Sequence, residues 1–225
     1  MRLLTYNVRS LRDDKVAVAA VIRACDADVV CIQEAPRFLR WRSKCAALAR
    51  ESGMFVVTGG RVAGAMLLLA RLGVDVEASY DVLLQKTPHL HQRGLAVGVL
   101  RVKGERYAVA SMHLSLEDTE RTRQVDEVIS HMERVRDGAP IVLAGDVNET
   151  PDRPRWEALS ARFTDAFTVA PVGEGNTYSA ARPYKRIDGI FVDPDVRVLS
   201  CGVPDVPGIA QASDHCPLVA DLRLS

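Results

Sequence analysis

Six stretches of this chain set an oxygen-bearing or imidazole side chain just behind a run of apolar residues. Asn7 follows Leu3-Leu4-Thr5-Tyr6, Glu34 follows Val29-Val30-Cys31-Ile32-Gln33, and His113 follows Val109-Ala110-Ser111-Met112. Asp146 and Asn148 follow Ile141–Ala144, Asp188 follows Ile187, and Asp214-His215 precede Cys216-Pro217. Polar groups collected at the ends of buried strands form a site on a rigid scaffold. Glu34, Asp146, Asp188 and Asp214 are hard oxygen donors, with Asn7 and Asn148 as neutral ones. Such a set without thiolates suits Mg²⁺ or Mn²⁺ rather than zinc. Gathered together, carboxylates repel by roughly 1–4 kcal/mol per close pair, a cost that a divalent ion removes.

Each residue alone also has a plainer reading. Asn7 and the Gly145–Asn148 segment suit ordinary turns, Glu34 a solvated helix start, His113 a satisfied core histidine and Asp214 a capped turn. Asp188, within an apolar stretch, is costly unless paired or bound to a cation.

The elements that position these residues are legible from periodicity. Strands are predicted over Leu3–Val8, Asp28–Ile32, Met54–Thr58, Ala65–Ala70, Val82–Gln85, Leu95–Val102, Tyr107–Met112, Ile141–Ala144, Ile187–Val192, Val196–Leu199 and Leu218–Leu224. Helices are predicted over Asp14–Cys25, capped by Asp13 or Asp14, and over Arg37–Ser52, Asp118–Arg136 and Arg155–Phe163. Strands alternate with helices in two places, with antiparallel runs between, which favours an α+β or mixed α/β domain with more strand than a Rossmann fold needs.

The chain has 225 residues, 48% of them hydrophobic, which suits one domain over residues 1–225 with a sizeable core. Its 29 basic and 29 acidic residues cancel, which argues against coating nucleic acid by bulk charge and leaves a local basic patch open. The five cysteines are odd in number with no CxxC, so buried free thiols are expected. Neither a signal peptide nor a membrane span is read. The expectation is a soluble, cytoplasmic protein without membrane association or an obligate protein partner.

Taken in order, Thr5-Tyr6-Asn7-Val8, Cys31-Ile32-Gln33-Glu34, Ser111-Met112-His113-Leu114, Gly145-Asp146-Val147-Asn148-Glu149-Thr150-Pro151, Arg186-Ile187-Asp188 and Ser213-Asp214-His215-Cys216-Pro217 resemble the signature blocks of the endonuclease/exonuclease/phosphatase superfamily. That superfamily includes pancreatic-type deoxyribonucleases, abasic-site endonucleases, inositol polyphosphate phosphatases, sphingomyelinases and messenger-RNA deadenylases. The resemblance spans Leu3 to Leu222. It implies a four-layer α/β sandwich, two packed mixed β-sheets with helices on the outer faces.

The resemblance also implies roles. Glu34 is the principal metal ligand, with Asn7 close by, and Asp214 orients His215 or approaches a metal. Asp146 orients and deprotonates the attacking water, and Asn148 donates a hydrogen bond to the transition state. His215 contacts the phosphate, and Asp188 lies near it and the metal. His113 matches a histidine that holds phosphate or protonates the leaving group in the deoxyribonuclease and sphingomyelinase branches. Its glutamate partner there has a counterpart in Glu77 only by rough position. Val147 replaces the usual aromatic residue of its block. For the substrate, Arg93 and Arg186 are placed for phosphate, with pairing to a neighbouring carboxylate as the other reading of Arg186, Tyr178 either stacks on a base or sugar or packs, and the basic stretch Arg37–Lys44 either steers phosphate or is a solvated helix face.

Three functions fit: a phosphodiesterase or nuclease acting on DNA or RNA, a hydrolase of small or lipid phosphate esters, and a binding module that has lost its chemistry. The last would lack a catalytic residue, and none of the main ones is missing.

Overall fold

The computed structural model describes residues 1–224. Its strands are β1 (Arg2–Asn7), β2 (Val29–Gln33), β3 (Phe55–Gly60), β4 (Met66–Ala70), β5 (Asp75–Leu83), β6 (Gly94–Val102), β7 (Glu105–His113), β8 (Ile141–Asp146), β9 (Thr164–Asp165), β10 (Pro171–Val172), β11 (Asp188–Val192), β12 (Val196–Gly202) and β13 (Leu218–Leu224). The helices are α1 (Lys15–Ala24), α2 (Trp41–Glu51), α3 (Asp118–Val135), α4 (Pro154–Arg162), α5 (Ala166–Val169) and α6 (Ile209–Ala212). They build a four-layer α/β sandwich. One sheet runs β10-β12-β13-β1-β2-β4-β3 and the other β5-β6-β7-β8-β11-β9.

Strand alternation creates the layers. In β1, Leu3 joins the cluster between the sheets, with Met66, Leu68, Val109 and Ile190. Its neighbours Leu4 and Tyr6 face outward onto Val18, Ile22 and Leu48 of α1 and α2. On the second sheet, Leu95, Val97, Ala110 and Leu143 face Val125, Val128 and Met132 of α3 and Trp156 of α4. A period of two is what splits one strand between two cores. The five cysteines are buried and unpaired.

The boundaries differ from expectation where backbone chemistry intervenes. Asp14 caps α1, accepting hydrogen bonds from the amides of Val16 at 2.8 Å and Ala17 at 3.1 Å. The second helix starts at Trp41 rather than Arg37, because Arg40 adopts left-handed φ 58°, which leaves Arg37–Arg40 as an exposed turn. β5 begins at Asp75, well before the predicted Val82. Its sequence Asp75-Val76-Glu77-Ala78-Ser79-Tyr80-Asp81 is polar because it is a largely exposed edge strand. β9, β10, α5 and α6 are too short to leave a periodic signal.

Two parallel pairings decide where the functional residues go. β1 runs parallel to β2 with Asn7 opposite Gln33, and β7 runs parallel to β8 with His113 opposite Asp146. All four strands therefore end on the same side. β11 returns antiparallel to β8, and its first residue, Asp188, pairs with Asp146. Leu218 of β13 pairs with Thr5, so the Asp214-His215 turn that precedes it lies beside the end of β1.

Candidate active site

A cleft of about 250 Å³ opens over these strand ends, lined by Glu34, Arg93, His113, Asp146, Asn148 and His215 among others. Its floor is tied across both sheets. The Gln33 amide donates to Ser111 Oγ at 3.0 Å, and Ser111 Oγ donates to the Ile32 carbonyl at 2.8 Å. Ser213 Oγ donates to the Asn7 carbonyl at 2.7 Å, and Thr177 Oγ1 accepts from the amides of Ile187 and Asp188. Sequence reasoning assigned no role to Ser111, Thr177 or Ser213. Their only signal was a hydroxyl within or beside a motif block.

Gly145 is needed because β7 passes close by: a Cβ there would lie 1.8 Å from the Met112 carbonyl oxygen. Asp146 follows, buried, with Oδ1 accepting from the Asn148 amide at 2.9 Å and Oδ2 accepting from Asn7 Nδ2 at 3.1 Å. Burial and the nearby Asp188 raise its pKa to about 7, against the pull of His215 and the two asparagine hydrogen bonds.

His215 forms a dyad with Asp188, Nδ1 to Oδ2 at 2.9 Å, and its Nε2 lies 3.7 Å from Asp146 Oδ2. Burial alone would lower its pKa. The charge and hydrogen bond of Asp188, helped by Asp146 and Asp214, outweigh burial and bring it to about 10. In the metal-free site its carboxylate neighbours thus favour the protonated imidazole. His113 is the opposite case: burial, then the cations Arg93 and His215, hold its pKa well below 6.5.

Acceptor-only neighbours fix the two asparagine amides. Asn148 Nδ2 donates to the Leu114 carbonyl at 2.9 Å and to His113 Nε2 at 2.9 Å. Both amide hydrogens are thus taken, and His113 Nε2 is an acceptor. In the substrate-free site the Asn148 amide is thus turned toward Leu114 and His113. Asn148 and His113 each position the other. Asn148 holds left-handed φ 56°, which asparagine tolerates well. Asn7 Oδ1 accepts from the Arg9 amide at 3.1 Å, so its nitrogen faces Asp146 and Glu34. Through that nitrogen it braces the two carboxylates.

Asp146, Asp188 and His215 bring ligand atoms within 4.8 Å of one another. Asp188 Oδ1 is buried without a partner, and Glu34 meets only Asn7 Nδ2 at 3.4 Å. Unspent carboxylate oxygens of this kind fit a hard divalent cation. Asp214 stands apart at the rim, about one-third exposed and 3.3 Å from Arg9.

The substrate-side expectations divide. Arg93 lines the cleft, and its Nε is buried without a partner. Arg186 is a correction: its guanidinium pairs with Asp165 at 2.9 Å and lies over the Trp156 ring at 4.5 Å, outside the cleft lining. Tyr178 packs edge-on against His215, with ring centroids 5.1 Å apart. Glu77 pairs with Arg101 and Arg106 at the far end of β7 from His113, so it is not the partner of that histidine. Arg37, from the basic stretch, and Arg12 join the lining, as does His91, to which sequence reasoning gave no role.

Residues 4–215 match the sequence profile described as "Endonuclease/Exonuclease/phosphatase family". An endonuclease/exonuclease/phosphatase of Bacteroides vulgatus superposes with TM-score 0.84 at 23% identity, covering 100% of this chain and 98% of that one. A mannosyl-6-phosphatase of Bacteroides thetaiotaomicron also superposes with TM-score 0.84, at 18% identity and full coverage of both chains. The uncharacterized protein YbhP of Escherichia coli is 26% identical over 122 residues, 54% of this chain. The match spans about half the length of that relative, 48%.

Proposed function

The chain belongs to the Endonuclease/Exonuclease/phosphatase family, whose members hydrolyse phosphate esters, and from that premise we propose that it is a Mg²⁺- or Mn²⁺-dependent phosphodiesterase of the nuclease type. The observation that carries this reading is geometric: over one cleft the buried Asp146 carboxylate lies 3.7 Å from Nε2 of His215, whose Nδ1 is held by Asp188 at 2.9 Å. Asp146 has a pKa raised to about 7, and the Asp188–His215 dyad keeps a proton to about 10. A base poised near the working pH is what proton abstraction from water needs.

Asp146 takes the proton from a water aligned by its carboxylate. The protonated Nε2 of His215 and the Arg93 guanidinium hold the phosphoryl oxygens as negative charge builds on them. Asp188 keeps His215 protonated and oriented. His113 and Asn148 lock each other, and the Asn148 amide holds Asp146 in place. Glu34, with the carboxylates beside it, would hold the divalent ion; when bound, the ion polarises the phosphoryl oxygen and stabilises the leaving alkoxide.

The test is hydrolysis of bis(p-nitrophenyl) phosphate and nicking of supercoiled plasmid with Mg²⁺ or Mn²⁺. Activity on both that EDTA abolishes is expected; activity unchanged by EDTA would overturn the reading. A cleft of only about 250 Å³ favours a second reading, a phosphatase of small esters. Hydrolysis of monoesters with no action on either diester would select it.

Metal binding should also depend on pH with a defined sign. A raised carboxylate pKa means that the folded, metal-free protein holds the Asp146 proton. The stability this contributes is present below the ordinary value of 3.8 and lost as pH rises through about 7. The ion competes with that proton, so the rise in Tm produced by Mn²⁺ should be larger at pH 8 than at pH 5.5. Glu34→Gln should remove most of it. An equal rise at both pH values would show that the ion does not compete for Asp146.

A further inference from the structure

The catalytic cleft does not end at its own walls. Arg37, Gly64 and His91 also line a second cleft of about 400 Å³, which contains Phe38, Arg61 and Lys86. On the opposite side, Asn148 also lines a third cleft of about 460 Å³, which contains Arg121, Arg153, Arg155 and Lys185. Both neighbours thus adjoin the Asp146 cleft through shared lining residues, as a trough with two flanks.

Both flanks carry cations that the protein itself leaves largely uncompensated. No acidic residue occurs between Ala35 and Arg50 or between Val82 and Gly104, the two segments that supply Arg37 and Lys86. Among the described residues, Arg153 and Lys185 form no ion pair, and Arg155 has only Asp118 at 3.9 Å, with its Nε buried and unpartnered. Glu149 is spent on Arg121 and on the backbone amides of Arg155 and Trp156.

An exposed aromatic ring stands beside a cation of each flank. Phe38 is 68% exposed, with the Arg37 guanidinium 5.2 Å from its centroid. Tyr184 is 65% exposed beside Lys185, whose ammonium lies 4.7 Å from the Tyr178 ring and 5.5 Å from the Tyr184 ring. A cationic groove with aromatic rings along it is the composition of a single-strand nucleic-acid track: cations follow the phosphates and rings stack bases.

We infer that a single nucleic-acid strand lies along this trough. One phosphate occupies the Asp146 cleft, and at least one more is held on each side, by Arg37 and Lys86 and by Arg153, Arg155 and Lys185. The inference deepens the hydrolase reading and rests on it for the position of the scissile phosphate. An anionic membrane is the competing occupant, since Leu116 of the cleft lining is 76% exposed and Leu39, next to Phe38 in sequence, is 82% exposed. The aromatic–cation pairing on both flanks favours the strand.

The experiment is fluorescence anisotropy of full-length protein with labelled single-stranded DNA and RNA 12-mers in EDTA over a salt series. Vesicles of phosphatidylglycerol and phosphatidylcholine serve as the parallel arm. Binding should weaken as salt rises. Arg153→Ala with Lys185→Ala, and separately Arg37→Ala with Lys86→Ala, should each weaken it and flatten the slope of log K against log salt by about 0.7 for each phosphate that is no longer neutralised. Phe38→Ala and Tyr184→Ala should each weaken binding roughly fivefold or more. Equal affinity in all variants, or binding to vesicles with none to either 12-mer, would overturn the inference. Metal-dependent hydrolysis of bis(p-nitrophenyl) phosphate by the wild type keeps the two claims separable. If it persists while the 12-mers do not bind, the hydrolase reading stands and the strand is excluded. If strand binding behaves as expected but that hydrolysis is absent, the hydrolase reading fails instead.

Discussion

Asp146→Asn should lower turnover by about 10²–10⁴-fold, the contribution of a positioned general base, while leaving the metal-free fold at least as stable as the wild type above pH 7. The two halves of this expectation share one cause. Asp146 is buried, and it repels Asp188 across the first residue pair of β8 and β11. Its charge is what the chemistry uses and what the metal-free fold resists, so removing it takes away both. The amide fits the volume but not every partner. Oδ1 must still accept from the Asn148 amide, which turns the new NH₂ toward Asn7 Nδ2, itself a donor. That mismatch costs roughly one hydrogen bond, about 0.5–1.5 kcal/mol, and offsets part of the gain. Steady-state hydrolysis of bis(p-nitrophenyl) phosphate beside a metal-free melt at pH 8 measures both. Turnover near wild type would remove Asp146 from the chemistry, and a sharp fall in both turnover and melting temperature would make it a structural residue.

The location of this site was legible because it is set by a simple rule. Apolar runs become buried strands, and parallel neighbours deliver their last residues to one side. The order of residues put Asn7, Glu34, His113 and Asp146 at strand ends, the resemblance grouped them, and the parallel pairings of β1 with β2 and β7 with β8 account for the grouping. The four layers followed from the resemblance, since alternation in Leu3-Leu4-Thr5-Tyr6 gives two faces to a strand but not the order of strands in a sheet. Less of the local chemistry could be read. Which way an asparagine amide turns depends on acceptors far away in sequence, such as the Leu114 carbonyl for Asn148. The orientation of the Asn7 and Asn148 amides was therefore out of reach of the sequence. Thr177 and Ser213 support the site through single hydroxyls, which carry no pattern. The basic stretch Arg37–Lys44 could be read as helix face or phosphate guide, and the left-handed Arg40 separates the two. Arg37 and Phe38 lie on the turn at the cleft, while Arg42 and Lys44 lie on exposed helix.

Arg186 shows the same limit from the other side and yields the largest stability effect expected here. Its place next to Ile187-Asp188 suggested a phosphate contact, but Arg186 lies ahead of β11, which begins at Asp188, so strand alternation does not put it on the Asp188 face. Its guanidinium is about nine-tenths buried and binds Asp165, whose Oδ2 also accepts from Trp156 Nε1 at 3.0 Å and whose Oδ1 accepts from the Phe167 amide at 3.1 Å. The plane lies over Trp156 on one side and Phe167 on another, 4.5 and 4.9 Å from the ring centroids. Arg186→Ala deletes the charge that compensates a buried carboxylate, a change that typically costs about 3–5 kcal/mol, and it also removes the stem that fills the space beside the rings. The two hydrogen bonds left to Asp165 place the expected loss near the lower end of that range, about 3 kcal/mol. Arg186→Lys should recover only part, because one ammonium cannot reproduce the planar fork or its stacking. Urea midpoints read the stability, and KM for bis(p-nitrophenyl) phosphate, measured on folded protein at low temperature, reads any part in the site. A shifted midpoint with KM close to wild type fits a guanidinium turned into the core. An unchanged midpoint with KM raised tenfold would return Arg186 to the phosphate, and the ion pair with Asp165 would then contribute nothing to the fold.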